Sequence, residues 1–126
     1  MTPATTLAFA RAVESLAMAR ANLAANRPET TIHDAYYAMF RVARAFVAER
    51  AGARPKTHRG LGIAFGQLTR DLPAEERRIA RRLGVALDRR VMADYDDVAS
   101  FDLSHAAVAL EEADAFVALC RRLMAA

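Results

Sequence analysis

The sequence predicts an all-α fold, an up-and-down bundle of four long helices and one short helix, in a single domain over residues 1–126. Alanine is unusually frequent and β-branched residues are sparse, which favours helix over strand. Apolar side chains recur at steps of three and four residues, and the connections between these segments are short, as between antiparallel neighbours in a bundle. With 54% hydrophobic and 26% charged residues, the chain is too apolar for intrinsic disorder.

The first helix is predicted from about Thr5 to Ala25. Pro28 ends it, because a proline disfavours helical backbone in the residue before it. Its expected buried face is an apolar stripe of Leu7, Ala10, Val13, Leu16, Ala17 and Leu23.

The second helix is predicted to begin at Thr30 or Thr31, since threonine is a good N-cap residue, and to run to about Arg50. Gly52 and Pro55 end it. Its buried stripe is expected to be Ile32, Tyr36, Met39, Ala43 and Phe46.

The third helix is short, with Thr57 as its N-cap. Its apolar residues are Leu61, Phe65 and Leu68, and Asp71-Leu72-Pro73 ends it. Pro73 is then expected to be the first helical residue of the fourth helix, where a missing N–H costs nothing. This fourth helix runs to about Met92.

The acidic segment Ala93–Asp102 is predicted to be a loop or a broken turn. Asp102 or Ser104 caps the fifth helix, whose stripe is Leu103, Ala107, Leu110, Ala113, Val117, Cys120 and Met124. Across the bundle, the residues expected in the core include Leu16, Tyr36, Met39, Phe46, Phe65, Leu83, Leu110 and Val117.

Charge is distributed unevenly along the chain. The formal net charge is only +3, but residues 41–90 sum to +8 and residues 91–126 sum to −5. One interpretation is that the two blocks pair with each other in the fold. The other is that the basic block binds an anion, such as RNA, a nucleotide or an acidic partner.

Several kinds of chemistry are excluded by the sequence. The single cysteine, Cys120, cannot form an internal disulfide or a cysteine-based zinc site. There is no Glu-x-x-His pair of the di-iron bundles and no phosphate-binding glycine loop, and His33, His58 and His105 fall on different helices. We therefore expect no metal and no cofactor. No apolar run is long enough to span a membrane and none resembles a signal peptide, so a cytoplasmic protein is expected.

The second helix carries a polar face made of His33, Tyr37, Arg41 and Arg44. Arginine and tyrosine suit phosphate and base binding, or a protein interface. An ordinary solvent-exposed face would look the same.

A second candidate is the helix start Lys56-Thr57-His58-Arg59. Free N–H groups and the helix dipole attract anions there, and basic side chains add to this, although a simple cap with flanking charges is the alternative. Gly60 and Gly62 follow and would permit close approach of a backbone or a ligand.

A third candidate is the pair Arg90 and Tyr95, five residues apart where the fourth helix ends. Both groups could be directed into one cleft, together with Asp94 and Asp96. Alternatively, the arginine only stabilises the negative end of the helix dipole.

Three segments, taken in order, resemble the HEPN domain family, and the resemblance covers essentially the whole chain. They are Tyr36-Tyr37-Ala38-Met39-Phe40 with Arg41 and Arg44, Lys56-Thr57-His58-Arg59-Gly60 followed by Phe65-Gly66, and Ala93-Asp94-Tyr95-Asp96 after Arg90. They resemble the second helix, the start of the next helix and the segment after the fourth helix in a subgroup of small stand-alone HEPN proteins.

The resemblance implies a helical bundle that forms a homodimer and that pairs with a minimal nucleotidyltransferase in toxin–antitoxin-like systems. Many HEPN proteins are metal-independent ribonucleases, whose hallmark is an arginine followed, four to six residues later, by a histidine. In some pairs, the nucleotidyltransferase adenylylates a tyrosine just after that histidine.

The chain departs from this hallmark, because Tyr95 stands where the histidine is expected after Arg90. Imidazole titrates near neutral pH and can move a proton, whereas tyrosine has a pKa of about 10 and is a poor general base. His58 could substitute if the third helix lies beside Arg90, and Tyr95 could instead accept a nucleotidyl group.

The sequence therefore predicts a dimeric interaction module that pairs with a nucleotidyltransferase and binds RNA or nucleotide. The alternatives are a metal-independent ribonuclease with a degenerate Arg-x4-Tyr motif and a non-catalytic structural or nucleotide-sensing bundle. The catalytic candidates are Arg90, Tyr95 and His58. The candidate ligand-binding residues are Lys56, Arg59, Arg41, Arg44, Tyr37 and Asp94.

Overall fold

The computed structural model describes residues 1–95 and 101–125, with the side chains of 1–92 and 101–125. These residues form six helices and no strand, which confirms the all-α class and the helical bundle. The helices are α1 (Pro3–Ala24), α2 (Pro28–Ala51), α3 (His58–Thr69), α4 (Ala74–Ala80), α5 (Arg82–Tyr95) and α6 (Leu103–Ala125).

Local sequence signals set several helix ends as predicted. Gly52 ends α2 in the left-handed conformation, with φ of 64°, which glycine adopts without steric cost. The Thr57 hydroxyl caps α3 by accepting a hydrogen bond from the Gly60 amide at 2.9 Å. A Cβ at Gly60 would lie 2.9 Å from that same oxygen, so a side chain there would crowd the cap. Asp102 caps α6, because its carboxylate accepts from the His105 amide at 2.9 Å.

Three predicted boundaries are wrong. The second helix begins at Pro28, since a proline at the first helical position sacrifices no hydrogen bond. Pro73 has an extended ψ of 151° and therefore precedes the fourth helix as its N-cap. At the other end, α5 continues to Tyr95, into the segment predicted as a loop, of which residues 96–100 lie outside the described part of the chain.

The predicted fourth helix is divided at Arg81 into α4 and α5. The two parts pack against different neighbours: α4 lies mainly on α6, whereas α5 lies mainly on α2. Each part buries apolar residues of its own, Ala80 in α4 and Leu83 and Ala86 in α5.

Helix α2 is the centre of the bundle and contacts α1, α3, α5 and α6. It runs antiparallel to α1, as hydrogen bonds at both ends show. The Thr2 amide donates to Glu49 at 2.8 Å near one end, and the Asn22 amide group donates to Asp34 at 2.8 Å near the other.

The core contains all eight residues predicted for it. Aromatic rings join three helices at its centre, with Phe65 of α3 lying 5.4 Å from Phe46 of α2 and 5.2 Å from Phe116 of α6, centroid to centroid. Burying these large rings contributes much of the stability of the bundle.

The predicted stripe of α1 is partly wrong. Leu7 and Val13 are 52% and 48% exposed, and Phe9 and Ala12 lie in the core instead. Alanines lie on every side of α1, so several of its faces are almost equally apolar. The face that carries the large Phe9 side chain is the one that packs into the core. Elsewhere, three residues predicted to be apolar contacts are exposed, namely Leu68, Leu103 and Ala107.

The uneven charge is partly paired within the fold. Arg82 and Arg89 of α5 lie 2.7 and 3.5 Å from the carboxylate of Glu112 on α6. The first interpretation of the charge pattern therefore holds for these side chains. None of the helices described by the structure is long and apolar enough to cross a membrane.

Candidate functional site

Tyr36 and His58 form the centre of the candidate site. Tyr36 lies on the buried face of α2 and is only 2% exposed, and His58 is the first residue of α3, placed by the Thr57 cap. The Tyr36 hydroxyl and His58 Nδ1 are hydrogen-bonded at 2.5 Å. Phe40, one turn after Tyr36, stacks on the imidazole with centroids 4.4 Å apart and planes inclined by 18°. The ring of His58 is therefore held in one orientation.

Arg90 of α5 completes this group. Its guanidinium carbon lies 5.7 Å from the centroid of the Tyr36 ring and 5.5 Å from that of Tyr37, within the range of a cation–π interaction. Its Nη2 lies 3.5 Å from the Tyr37 hydroxyl. We refer to Tyr36, Tyr37, Phe40, His58 and Arg90 as the Arg90 cluster.

Burial and the positive charge of Arg90 set the protonation states in the cluster. Burial raises the pKa of Tyr36 to about 12, against the opposing effect of Arg90 and with a smaller addition from Tyr37. Burial, and then the charge of Arg90, lower the pKa of His58 below its ordinary 6.5. At neutral pH, the imidazole of His58 is therefore neutral and the phenol of Tyr36 is protonated, beside the guanidinium cation of Arg90.

This arrangement suits the recognition of a phosphate group beside a ribose or a base. A guanidinium donates paired hydrogen bonds to phosphate oxygens. Nδ1 of His58 shares a hydrogen bond with the Tyr36 hydroxyl, so Nε2 is the ring nitrogen that this bond leaves for a ligand. Tyr37 and His33, whose rings lie 4.7 Å apart, extend the aromatic surface along α2.

The structure brings together three of the residues predicted from the sequence, Tyr37, His58 and Arg90. Arg41 and Arg44 instead line a separate cleft of about 460 Å³ together with Arg11 and Arg54. We call it the arginine cleft. Arg44 stands between the two sites, with its guanidinium 5.3 Å from the ring of Phe40.

The other predicted residues lie elsewhere. Lys56 is exposed just before the α3 cap, and Arg59 lines a groove between α3 and the α4–α5 pair, where Gly62 is open to solvent. The backbone of Asp94 and Tyr95 forms the end of α5, but their side chains lie outside the described part of the chain.

The sequence did not point to every residue of these sites. Tyr36 was predicted only as a core residue, although a buried tyrosine requires a hydrogen-bond partner and this requirement was an available signal. Phe40 carried no signal of its own beyond its place in the segment that resembles HEPN domains. Arg11 lies within residues 1–40, whose formal charges sum to zero, so the net charge of that region gave no indication of it.

The fold and the cluster define a class: an all-α bundle in which the second helix, the start of the third and an arginine of the penultimate helix converge. The HEPN domain model matches residues 6–123, nearly the whole chain, and the chain belongs to the HEPN domain family. A comparison with curated proteins found no match. Among the described residues, no three His, Cys, Asp or Glu side chains are grouped so that they could hold a metal ion.

Proposed function

We propose that this protein is the HEPN component of a toxin–antitoxin-like pair, a dimeric module that engages a minimal nucleotidyltransferase and binds the phosphate of RNA or a nucleotide at the Arg90 cluster. The convergence of Arg90 and His58 on Tyr36 carries the proposal. It provides a phosphate-binding cation and an oriented imidazole within one cluster. Membership of the HEPN family supports the type of partner.

The chemistry of His58 favours binding over cleavage. RNA cleavage in which the ribose 2′-hydroxyl attacks the phosphate needs a general base and a general acid. A single histidine that serves as both must gain and lose a proton near neutral pH. Burial and Arg90 lower the pKa of His58, so the protonated form needed by a general acid is scarce at neutral pH. The Tyr36 hydroxyl also engages one of its two ring nitrogens.

The second candidate function is that of a metal-independent ribonuclease. The proximity of Arg90 to His58 favours it, because a neutral imidazole can act as a general base while a guanidinium stabilises charge on phosphate. In this alternative, His58 replaces the missing family histidine and Tyr95 assists.

The apolar surface of α5 supports dimerisation at the cluster. Val85, Val91 and Met92 are 39%, 42% and 48% exposed on the helix that carries Arg90. Val91 and Met92 directly follow Arg90 in the chain, and exposed apolar side chains next to a site favour association with another surface. Val91→Glu is expected to give a monomer in light scattering, whereas Val13→Glu, a similarly exposed valine on α1, leaves the dimer intact. A monomeric wild type would remove this part of the proposal.

Co-expression tests the partner. We expect the neighbouring reading frame to encode a minimal nucleotidyltransferase, and we expect the tagged enzyme to retain the untagged chain on an affinity column. In the presence of ATP, mass spectrometry of the retained chain and of Tyr95→Phe shows whether Tyr95 accepts a nucleotidyl group. Failure of the two proteins to co-purify would contradict the proposed pairing.

RNA assays in EDTA separate binding from cleavage. Arg90→Ala is expected to weaken RNA binding by about tenfold, while Arg122→Ala on exposed α6 surface has little effect. We expect no cleavage by the wild type. Cleavage that is lost in Arg90→Ala and His58→Ala would establish the ribonuclease instead, and equal cleavage by all variants would indicate contamination.

A further inference from the structure

The arginine cleft is a second concentration of positive charge, apart from the Arg90 cluster. Arg11 comes from α1, Arg41 and Arg44 come from α2, and Arg54 comes from the connection between α2 and α3. No acidic residue is among the described residues that line this cleft. Side chains from three separate chain segments therefore place like charges around one cavity.

These four arginines differ from the arginines of α5 in their salt bridges. Where the structure describes the chain, none of the four has a carboxylate within salt-bridge distance, whereas Arg82 and Arg89 share Glu112. Glu49 of α2 lies near the start of α1, but its carboxylate does not pair with these arginines. It accepts hydrogen bonds from the Thr2 amide at 2.8 Å and from the Thr5 hydroxyl at 3.0 Å.

Arg41 also has a side-chain donor that lacks a hydrogen-bond partner. Its Nε is buried and has no hydrogen-bond partner among the described residues. A buried donor without a partner lowers the stability of the folded protein. Like charges around a cavity add repulsion, which a bound anion would reverse.

We infer that the arginine cleft binds a compact oligophosphate, such as the phosphate chain of a nucleoside triphosphate. Its volume of about 460 Å³ falls in the range of small-molecule sites. Arginine forks match phosphate oxygens, and several forks around one cavity match several phosphates in one chain. The cleft also offers apolar contacts for a base, because Ala4, Leu7, Ala8, Ala45 and Pro55 are among its lining residues.

The choice of a small oligophosphate over an RNA strand follows from the arrangement of charge. The four arginines surround one cavity, whereas a strand requires cations spaced along a groove. This inference does not depend on the proposed function, because it involves neither Arg90 nor His58.

Calorimetry and thermal unfolding test it with four probes: inorganic tripolyphosphate, ATP, orthophosphate and adenosine. Tripolyphosphate and ATP are expected to bind and to raise the melting temperature, since a ligand of the native state stabilises it. Equal affinities would identify the phosphate chain alone as the ligand, and tighter binding of ATP would identify a nucleotide. Orthophosphate should bind far more weakly and adenosine not at all.

Matched variants locate the site. Arg41→Gln and Arg54→Gln are each expected to weaken tripolyphosphate binding by about tenfold. Arg122→Gln makes the same change of charge elsewhere and should leave it within about twofold. Arg54 is exposed in a connection outside the helices, so its substitution keeps the test valid even if Arg41→Gln fails to fold.

Three outcomes would overturn the inference. The first is the absence of tripolyphosphate binding. The second is an equal loss in Arg122→Gln, which would indicate general charge attraction. The third is a loss in Arg90→Gln with none in Arg54→Gln, which would place the anion in the Arg90 cluster.

Discussion

The Tyr36 hydroxyl and His58 Nδ1 lie 2.5 Å apart and join α2 to the first residue of α3. Tyr36→Phe removes this hydrogen bond while keeping the ring, so the free energy of unfolding is expected to fall by about 1 kcal/mol. Tyr37→Phe is the matched control, because its hydroxyl lies 3.5 Å from Arg90 and makes a weaker contact. Urea unfolding of both variants measures the difference, and an equal or larger loss in Tyr37→Phe would contradict it.

Stability should depend on pH through His58. The pKa of His58 is below 6.5 in the folded protein. At pH values between this folded pKa and 6.5, the unfolded chain therefore binds more protons than the folded protein. The contribution of His58 is therefore fully present above 6.5 and is lost as the pH falls through the folded pKa.

The measurement is the melting temperature as the pH is lowered from about 7.5 to 5. His58→Gln is expected to flatten the decline, whereas His105→Gln, an exposed histidine at the start of α6, should not. The Thr2 amide hydrogen bond lowers the pKa of Glu49 below 4.5, so that group acts at more acidic pH. A decline unchanged in His58→Gln would show that another group is responsible.

Cys120 should be inert in the folded protein. It is fully buried in α6, and burial raises its pKa to about 12, so the reactive thiolate is scarce. A thiol reagent is expected to label it only as fast as the protein opens, and fully in denaturant. Rapid labelling without denaturant would place the thiol at the surface.

Phe65 should be among the residues most important for stability, because its ring contacts α2 and α6 at once. Phe65→Ala is expected to lower the free energy of unfolding by about 3–5 kcal/mol through loss of burial and formation of a cavity. Leu68→Ala on the same helix, at a residue 39% exposed, should cost no more than about 0.5 kcal/mol. Denaturant unfolding compares them, and similar losses would contradict the core described here.

Glu112 should link α6 to α5 electrostatically. Its carboxylate lies 2.7 Å from Arg82 and 3.5 Å from Arg89, and it is 20% exposed. Glu112→Gln is expected to cost about 1 kcal/mol, a loss that decreases with added salt. Glu111→Gln removes the same charge from an exposed neighbour and should have little effect. If both variants behaved alike, the ion pairs would contribute nothing measurable.

The local features of the fold were predictable because short-range interactions set them. The caps at Thr57 and Asp102 and the glycine at position 52 act within a few residues, and each lies where the sequence indicated. All eight predicted core residues are buried, since large apolar side chains at helical spacing have few alternatives. The face of α1 was less predictable, because Leu7 and Phe9 offer competing stripes on an alanine-rich helix.

The sequence by itself determined the helical class, the segments that resemble HEPN domains and the candidates Arg90 and His58. Only the tertiary structure decided where each positive charge lies and what it contacts. Arginines that are far apart in the chain come together or stay apart according to how the helices pack. Packing directs Arg82 and Arg89 to Glu112, holds Arg90 against Tyr36 and Tyr37, and gathers Arg11, Arg41, Arg44 and Arg54 around one cleft. Local periodicity contains no information on contacts between distant segments, and these contacts determine where each charge lies.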